Sequence, residues 1–459
     1  MAGINPQIFR EYDIRGLVDQ DLHDDSVALI AKGFAKMLRD AGGKRVVLGR
    51  DCRSSSTRFR GVFERALNDC GVDVTDIGVV PTPMTYFAAN TLPGVDGMVM
   101  ITGSHNPPQY NGFKIGLGKT TLHGHEIQQL LRIVQAGDFP TGKGTTQEID
   151  LLGAYQEKVL SSLRMGPRRP KVVVDAGNGV GGITAMPLYR AMGFAPDGLF
   201  LEPDGNFPNH HPDPTVEENL EDLRRRVLET KADLGIAFDG DADRIGVVDE
   251  KGNVLWGDQL MILYSREVLK EEPGAAIVGE VKCSQTMYDD IEKHGGKPVM
   301  WKAGHSLIKA KMKETNAALA GEMSGHVFFK NRWFGFDDGV YAGARLLEIL
   351  SREERPLSAL LADVPKTFAS PEIRRDAGTE DRKFALVRKA TEHFRKEGYN
   401  VIDVDGARVV FDDGFGLVRA SNTQPILVLR FEAKTESRLK EIESLFERTL
   451  ASLEKDLQA

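Results

Sequence analysis

The sequence predicts several α/β domains followed by a smaller, separate α+β domain. Three observations carry this. Short apolar, β-branched runs recur at residues 44–49, 171–176 and 275–280, each with a turn or loop after it. Runs of this kind suit strands buried on both faces of a mainly parallel sheet. Segments with helical apolar spacing, such as 27–38 and 220–228, lie between them, and this alternation marks α/β architecture. Near residue 369 the pattern changes. A short strand at Ile373 precedes a helix with Phe384, Val387 and Phe394 on one face. Strand-like stretches follow at 399–404, at 407–411 with 415–419, and at 425–433. A closing amphipathic helix carries Leu439, Ile442, Leu445, Phe446, Leu450 and Leu453. Consecutive strands flanked by helices make an α+β domain, with its boundary near Pro365.

The size fits. The chain has 459 residues, room for about three domains of roughly 150 residues, or four small ones. Hydrophobic residues make up 41% and charged residues 27%, the balance of a soluble globular protein with ample core. The formal net charge of −8 argues against a nucleic-acid binder that relies on overall basic charge. The three cysteines, Cys52, Cys70 and Cys283, are too widely spaced for a disulfide framework or a zinc cluster, and they fit a reducing compartment. No basic, apolar leader opens the sequence, and no apolar stretch approaches the roughly 20 residues that span a bilayer. A cytoplasmic, soluble protein is expected.

Five segments could carry chemistry. The first, Thr102-Gly103-Ser104-His105-Asn106-Pro107-Pro108, follows the apolar run 97–101. Its prolines stop strand and helix alike, so Ser104 falls on a loop at a strand's C-terminal end, where α/β domains place ligands. A hydroxyl there can act as a nucleophile or carry a phosphate, although Ser, Asn, Gly and Pro also make ordinary turns. The second, Asp239-Gly240-Asp241-Ala242-Asp243-Arg244, lies between the runs 234–238 and 245–249. Three carboxylates at alternate positions repel one another unless a cation sits among them, and hard oxygen ligands suit Mg²⁺. An acidic hairpin turn is the bland rival. An EF-hand loop would put Glu250 at its last ligand position, but Arg244 stands where that loop needs Gly, and the flanks are strands.

The third segment, Gly177-Asn178-Gly179-Val180-Gly181-Gly182, matches G-x-G-x-x-G after a strand, with Glu202 about 20 residues on. Read literally it is a dinucleotide fingerprint. However, Asp175 is an awkward neighbour for a pyrophosphate, and the long polar loop 202–212 breaks the βαβ pattern. A tight strand-to-helix turn is the better reading. The fourth, Gly321-Glu322-Met323-Ser324-Gly325-His326, offers a carboxylate, a hydroxyl and an imidazole suited to sugar hydroxyls, or a capped turn. The fifth, Arg419-Ala420-Ser421-Asn422-Thr423-Gln424-Pro425, suits a phosphate cradle or a plain polar connection.

Co-occurrence tells more than any single segment. A nucleophile loop, an acidic metal loop, a sugar-type loop and a phosphate-type loop, roughly one per domain, all suit a protein that handles a phosphorylated sugar. On these residues the chain resembles the α-D-phosphohexomutase family, most closely its bacterial phosphomannomutase/phosphoglucomutase branch. The similarity covers the whole chain. Thr102 to Pro107 match the phosphoserine loop, Asp239 to Arg244 the metal loop, Glu322 to His326 the sugar loop and Arg419 to Thr423 the phosphate loop. The opening Phe9-Arg10-Glu11-Tyr12-Asp13-Ile14-Arg15-Gly16 also fits. Met323 stands where phosphoglucosamine mutases typically have Gln, which speaks against that branch.

The resemblance implies three similar mixed-sheet α/β domains plus a smaller C-terminal α+β domain around a central cleft. Residues 1–150 would carry the phosphoserine loop, 151–253 the metal-binding loop, 254–365 the sugar-binding loop and 366–459 the phosphate-binding loop. It implies an isomerase that interconverts hexose 1-phosphate and hexose 6-phosphate, of mannose and glucose, through phosphorylated Ser104 and a 1,6-bisphosphate. The implied catalytic set is Ser104, Arg15, Lys114, Arg244 and His326. Ser104, Asp239, Asp241 and Asp243 would hold Mg²⁺, and glucose 1,6-bisphosphate would be an activator. Substrate contacts would come from Tyr12, His105, Lys282, His305, Glu322, Ser324, His326, Arg419, Ser421, Asn422 and Thr423. The expected partners are small-molecule sugar phosphates, with no nucleic acid and no membrane, for a monomer or weak homo-oligomer. A hinge near residues 365–370 would let the last domain close over the ligand. A phosphoglucosamine mutase and a serine-nucleophile, metal-assisted sugar phosphatase are the alternatives.

Overall fold

The apolar runs become the central strands of separate sheets in the computed structural model, which describes residues 4–422 and 425–457. The chain divides into two bodies, Met1–Leu260 with Ser324–Leu360, and Met261–Met323 with Leu361–Ala459.

The first body opens with β1 (Ile14–Leu17), β2 (Arg45–Arg50), β3 (Asp73–Val79), β4 (Gly97–Ile101), β5 (Tyr110–Leu117), β6 (Thr120–Thr121) and β7 (Thr146–Glu148). They form one sheet in the order β1-β5-β4-β2-β3-β7, with β6 against β5. Strands β4, β2, β3 and β7 run parallel, and β5 runs antiparallel to both neighbours. Helices Asp24–Asp40, Ser54–Asp69 and His125–Ala136 share a core with Val46, Leu48, Val99 and Ile101. Helix Thr82–Thr91 lies on the other face, where a Cβ on Gly49 would come within 2.8 Å of Thr85. Strand β4 is therefore buried along its whole length, as its unbroken apolar run requires.

A second sheet follows from β8 (Val172–Asp175), β9 (Asp197–Leu199), β10 (Leu234–Phe238), β11 (Ile245–Asp249) and β12 (Val254–Leu255), in the order β12-β11-β10-β8-β9. Strands β9, β8 and β10 are parallel, and β10 and β11 form an antiparallel pair around the acidic loop.

In the second body β13 (Ala276–Glu280), β14 (Lys297–Trp301) and β15 (Leu319–Gly321) run parallel in the order β14-β13-β15. The chain then returns to the first body as β16 (Val327–Phe329) and helix Gly339–Arg352. The side chain of Asp338 caps that helix by accepting the N–H of Tyr341. The rest of the second body is an antiparallel sheet. Its strands are β17 (Phe368–Ala369), β18 (Ile373–Asp376), β19 (Asn400–Ile402), β20 (Ala407–Phe411), β21 (Gly414–Ala420) and β22 (Ile426–Ala433). The order is β17-β22-β21-β20-β19, with β18 also on β22. Helices Glu380–Lys396 and Glu436–Asp456 start at Thr379 and Thr435, whose hydroxyls accept the N–H groups of Arg382 and Arg438. Their apolar stripes share one core with the sheet.

The α/β class with a C-terminal α+β sheet is the predicted one. The first two sheets are mixed, as the resemblance implied, because β5 and β11 return as antiparallel partners of β4 and β10. One detail differs. Phe384 is exposed, since the buried stripe of its helix runs through Leu386, Ala390 and Phe394 and leaves Phe384 on the rim. The proposed hinge segment is partly woven into the sheet. Phe368 and Ala369 pair with β22, and the Ser370 N–H binds the Phe431 carbonyl at 2.9 Å. No helix among the described residues is long and apolar enough to cross a membrane.

Candidate active site

The chain leaves β4 at Ile101 and turns sharply, so that Ser104 is held at φ 49°, in the left-handed region. Its N–H binds Thr102 Oγ1 at 2.7 Å. Its hydroxyl donates to Asp239 Oδ2 at 3.0 Å and lies 3.1 Å from His105 Nδ1. Two guanidiniums hold the loop. Arg15, on β1, donates to the Gly103 carbonyl and to Asn106 Oδ1, and pairs with Asp13. Arg53 donates to the Ser104 carbonyl at 2.8 Å.

The acidic loop joins β10 to β11. Ala242 takes φ 55°, and the side chains of Asp239, Asp241 and Asp243 are all fully buried. Glycine at 240 lets the two loops touch, because a Cβ there would lie 2.5 Å from the Ser104 carbonyl oxygen. Lys114 projects from β5, with Nζ 2.9 Å from Asp241 Oδ2 and also bonded to Asp243. Asp241 further accepts the Thr82 hydroxyl at 2.5 Å. Burial opposes charge on Asp241, but Lys114 and Thr82 outweigh it and hold its carboxyl below the ordinary range. Burial and the other two carboxylates push Asp239 well above that range. Burial also opposes charge on Lys114, and Asp241 with Asp243 override it. Positive charge is thus short at this centre.

Carboxylate oxygens of all three aspartates lie within 4.8 Å of one another. Asp241 Oδ1 and Asp243 Oδ1 are buried and accept no hydrogen bond among the described residues. Orphaned hard oxygens on a cramped acidic loop fit a divalent cation.

Arg244 and His326 face this loop, joined by an isolated bridge between their backbones. Arg244 Nε donates to His326 Nε2 at 3.0 Å and lies 3.8 Å from Asp239. That bond leaves the proton on Nδ1, which is 3.1 Å from Asp337. Burial, with Arg244 and Arg15 nearby, holds the His105 imidazole well below its ordinary range, against the pull of Asp213. Tyr12 is half-buried in the bend before β1, and Ser324 is half-buried on its loop.

The other expected residues belong to the second body. Lys282 follows β13, with Nζ 3.1 Å from Glu372 and 3.9 Å from Glu280. Burial opposes its charge, but these two carboxylates raise its pKa overall. Glu322 is buried after β15 and accepts the Gly304 N–H at 2.6 Å, one residue before His305 starts helix His305–Thr315. Arg419, near the end of β21, pairs with Asp405 at 2.8 Å, and Asp405 also accepts the Ala303 N–H at 3.0 Å. The Ser421 carbonyl accepts Lys383 Nζ at 2.6 Å, and Asn422 Nδ2 reaches the Ala303 carbonyl at 3.4 Å. Thr423 lies outside the described residues.

Sequence reasoning missed Asp51, Arg53, Asp405, Glu372 and Lys383, which act on the expected residues from far along the chain. The signal available for the first two was a charged stretch, Arg50 to Arg53, directly after an apolar strand. The G-x-G-x-x-G segment is a strand-to-helix turn. It enters helix Gly181–Ala191, and a Cβ on Gly179 would lie 2.7 Å from the Gly240 carbonyl oxygen. Glu250 binds the Ser358 N–H at 3.2 Å, in keeping with rejection of the EF-hand.

A serine hydroxyl set against a buried acidic group, on paired α/β sheets, defines an α/β enzyme with a serine–carboxylate centre. The comparisons narrow that class. Four phosphoglucomutase/phosphomannomutase domain models match: α/β/α domain I at residues 6–141, domain II at 153–252, domain III at 256–368 and the C-terminal domain at 365–448. The chain belongs to the phosphoglucomutase/phosphomannomutase family, the α-D-phosphohexomutases. It is 47% identical over 450 residues to a phosphomannomutase/phosphoglucomutase of Pseudomonas aeruginosa, covering 98% of this chain and 96% of the relative. A phosphoglucomutase of Neisseria gonorrhoeae is 46% identical over 456 residues, covering 98% of each. The crystal structure of a phosphoglucomutase/phosphomannomutase family protein from Burkholderia thailandensis matches with TM-score 0.93 and 44% identity over 98% of each chain.

Proposed function

We propose that the protein is a phosphohexomutase that interconverts hexose 1-phosphates and hexose 6-phosphates, of mannose and glucose, through a phosphoserine at Ser104. One observation carries the reading: the Ser104 hydroxyl lies 3.0 Å from a buried three-carboxylate group flanked by Lys114 and Arg244. O1 and O6 lie on opposite sides of a hexose ring, so moving a phosphoryl group between them needs a carrier. Phosphorylated Ser104 gives its phosphoryl group to the free hydroxyl of the bound sugar phosphate, forming a 1,6-bisphosphate. The bisphosphate turns around, and Ser104 Oγ takes the other phosphoryl group back.

Asp239, Asp241, Asp243 and a phosphoserine oxygen would hold Mg²⁺, which supplies positive charge against a phosphoryl dianion of about −1.5 to −2. Lys114 and Arg244 add charge from the protein itself, and such fixed charge is the main source of acceleration in phosphoryl transfer. His326, in its Nδ1–H form, orients Arg244. In each transfer the proton lost by the attacking hydroxyl ends on the departing oxygen. Arg15 steadies the loop that carries Ser104. Tyr12 and Ser324 contribute substrate contacts. Glu322 holds sugar hydroxyls with Ser324, Lys282 and His305 are further substrate contacts, and Arg419, Ser421, Asn422 and Thr423 grip the phosphate that is not reacting. Glucose 1,6-bisphosphate acts as activator by restoring phosphoserine. The widely spaced free cysteines support a cytoplasmic setting.

The test is an enzyme-coupled assay for glucose 6-phosphate formed from glucose 1-phosphate, with Mg²⁺ and a trace of glucose 1,6-bisphosphate. Steady formation supports the mutase. Release of inorganic phosphate without isomer would replace it with a phosphatase.

A further inference from the structure

Arg53 plays no part in the mechanism above, yet its side chain is among the most deeply buried in the molecule. It stands between β2 and helix Ser54–Asp69, at the helix's N-terminal cap. A guanidinium has five N–H donors fixed in a planar fork. Here all five are used. Nε donates to Asp51 Oδ2 at 3.1 Å. Nη1 donates to the carbonyls of Pro107 at 2.7 Å and Tyr110 at 3.0 Å. Nη2 donates to the carbonyls of Ser104 at 2.8 Å and Asn106 at 2.5 Å. Four carbonyls, three on the serine loop and one at the start of β5, thus converge on a single side chain that lies 51 or more residues away in sequence.

The support continues behind the guanidinium. Asp51, its ion partner, also accepts the Gly103 N–H at 3.1 Å and the Ser56 hydroxyl. Gly103 is required, because a Cβ there would lie 2.4 Å from the guanidinium carbon. The face of the guanidinium is covered by the ring of Phe207, 5.1 Å away. Gly205 lets that loop in, since a Cβ there would come within 2.4 Å of the Arg53 Cα. Phe207 is itself at φ 50°. The polar loop 202–212, without a role in the sequence reading, is therefore the cover of this arginine.

We infer that Arg53 is a positioning residue for phosphoryl transfer, which with Asp51 and Phe207 holds Ser104 in its left-handed conformation and so aims its Oγ at the acidic loop. The inference rests on the reading of Ser104 as phosphoryl carrier. A serine stays at positive φ only where its surroundings over-determine it, and five directed bonds from one rigid group do so. Arg53 touches no reacting atom; it acts through the Ser104 carbonyl. Lysine has three donors around a point charge and cannot serve four carbonyls and a carboxylate at once.

The experiment compares wild type, Arg53→Lys, Arg53→Ala and Phe207→Leu. It measures kcat and KM for glucose 1-phosphate, and the rate at which glucose 1,6-bisphosphate phosphorylates Ser104, followed by intact mass. A displacement of about 1 Å at a reacting atom costs about 10²-fold in rate. Arg53→Lys is expected to lose about that factor in kcat and in Ser104 phosphorylation, with KM changed by less than about threefold. Millimolar guanidinium ion is expected to restore part of the activity of Arg53→Ala. Phe207→Leu, which trims only the cover, is expected to lower kcat about threefold to tenfold at unchanged KM. A folded Arg53→Lys with kcat within about twofold of wild type, or with its loss in KM instead, overturns the inference. If the Arg53 variants do not fold, Phe207→Leu decides: an unchanged kcat overturns it. If the wild type takes up no phosphoryl group on Ser104, the carrier reading fails first, and the wild-type control reveals this separately.

Discussion

The two bodies handle charge in opposite ways. In the first, three buried carboxylates crowd one loop with Lys114 and Arg244 as their nearby cations, and Asp239 is pushed well above the ordinary carboxyl range by burial and its neighbours. In the second, the charged side chains expected to contact substrate are already matched. Lys282 pairs with Glu372 and Arg419 with Asp405. The first centre gains from added positive charge, whereas an anion arriving at the second must compete with carboxylates in place. The difference teaches where metal dependence and substrate affinity are set.

Substitutions that sharpen this comparison differ widely in size. Ser104→Ala removes the carrier and should abolish turnover, by about 10³-fold or more, with a little-changed melting temperature, because only one hydroxyl and its hydrogen bond to Asp239 are lost. Steady-state rates and a thermal melt check both halves. Asp241→Asn takes a charge from the partner of Lys114 and should cost about 10²-fold in kcat while raising the Mg²⁺ concentration at half-maximal rate. A Mg²⁺ titration of activity measures this. Gly240→Ala puts a Cβ 2.5 Å from the Ser104 carbonyl oxygen, so one loop must shift. About a tenfold loss of kcat is expected, and a crystal structure of the variant would show the displaced loop.

The smallest effect belongs to the second body. Burial opposes charge on Glu372, but Lys282 pulls its pKa down from the ordinary 4.5 to about 2. A depressed carboxyl contributes stability above its unfolded value and loses it as pH falls through its folded one. Glu372→Gln should therefore lower the melting temperature by about 2–4 °C at neutral pH. The gap from wild type should hold down to about pH 4.5 and then narrow toward about pH 2. Melting curves across that range test it. The same variant should bind sugar phosphate more tightly, since Lys282 is released.

Much of this was legible in the sequence, for physical reasons. Strands β4, β10 and β11 are buried throughout, so their apolar runs end where the strands end. The two-residue strands β6 and β12 have no such signal. Phe384 fits helical spacing, but spacing alone does not tell the middle of a buried stripe from its rim. The acidic loop stands out because three carboxylates at alternate positions are costly without a cation, and the serine loop stands out because it follows a fully buried strand. Arg53, Asp405 and Glu372 do not stand out. Their partners are backbone carbonyls, N–H groups or side chains brought close only by the fold, and no local spacing encodes that.

The central claim is that Ser104 passes a phosphoryl group to a sugar and takes one back. ³¹P NMR of the protein with Mg²⁺, a trace of glucose 1,6-bisphosphate, and either glucose 1-phosphate or mannose 1-phosphate tests it directly. The account predicts growth of the 6-phosphate signal from both substrates, with the phosphoserine resonance retained and no rise in inorganic phosphate. Growth of inorganic phosphate without any 6-phosphate would contradict it.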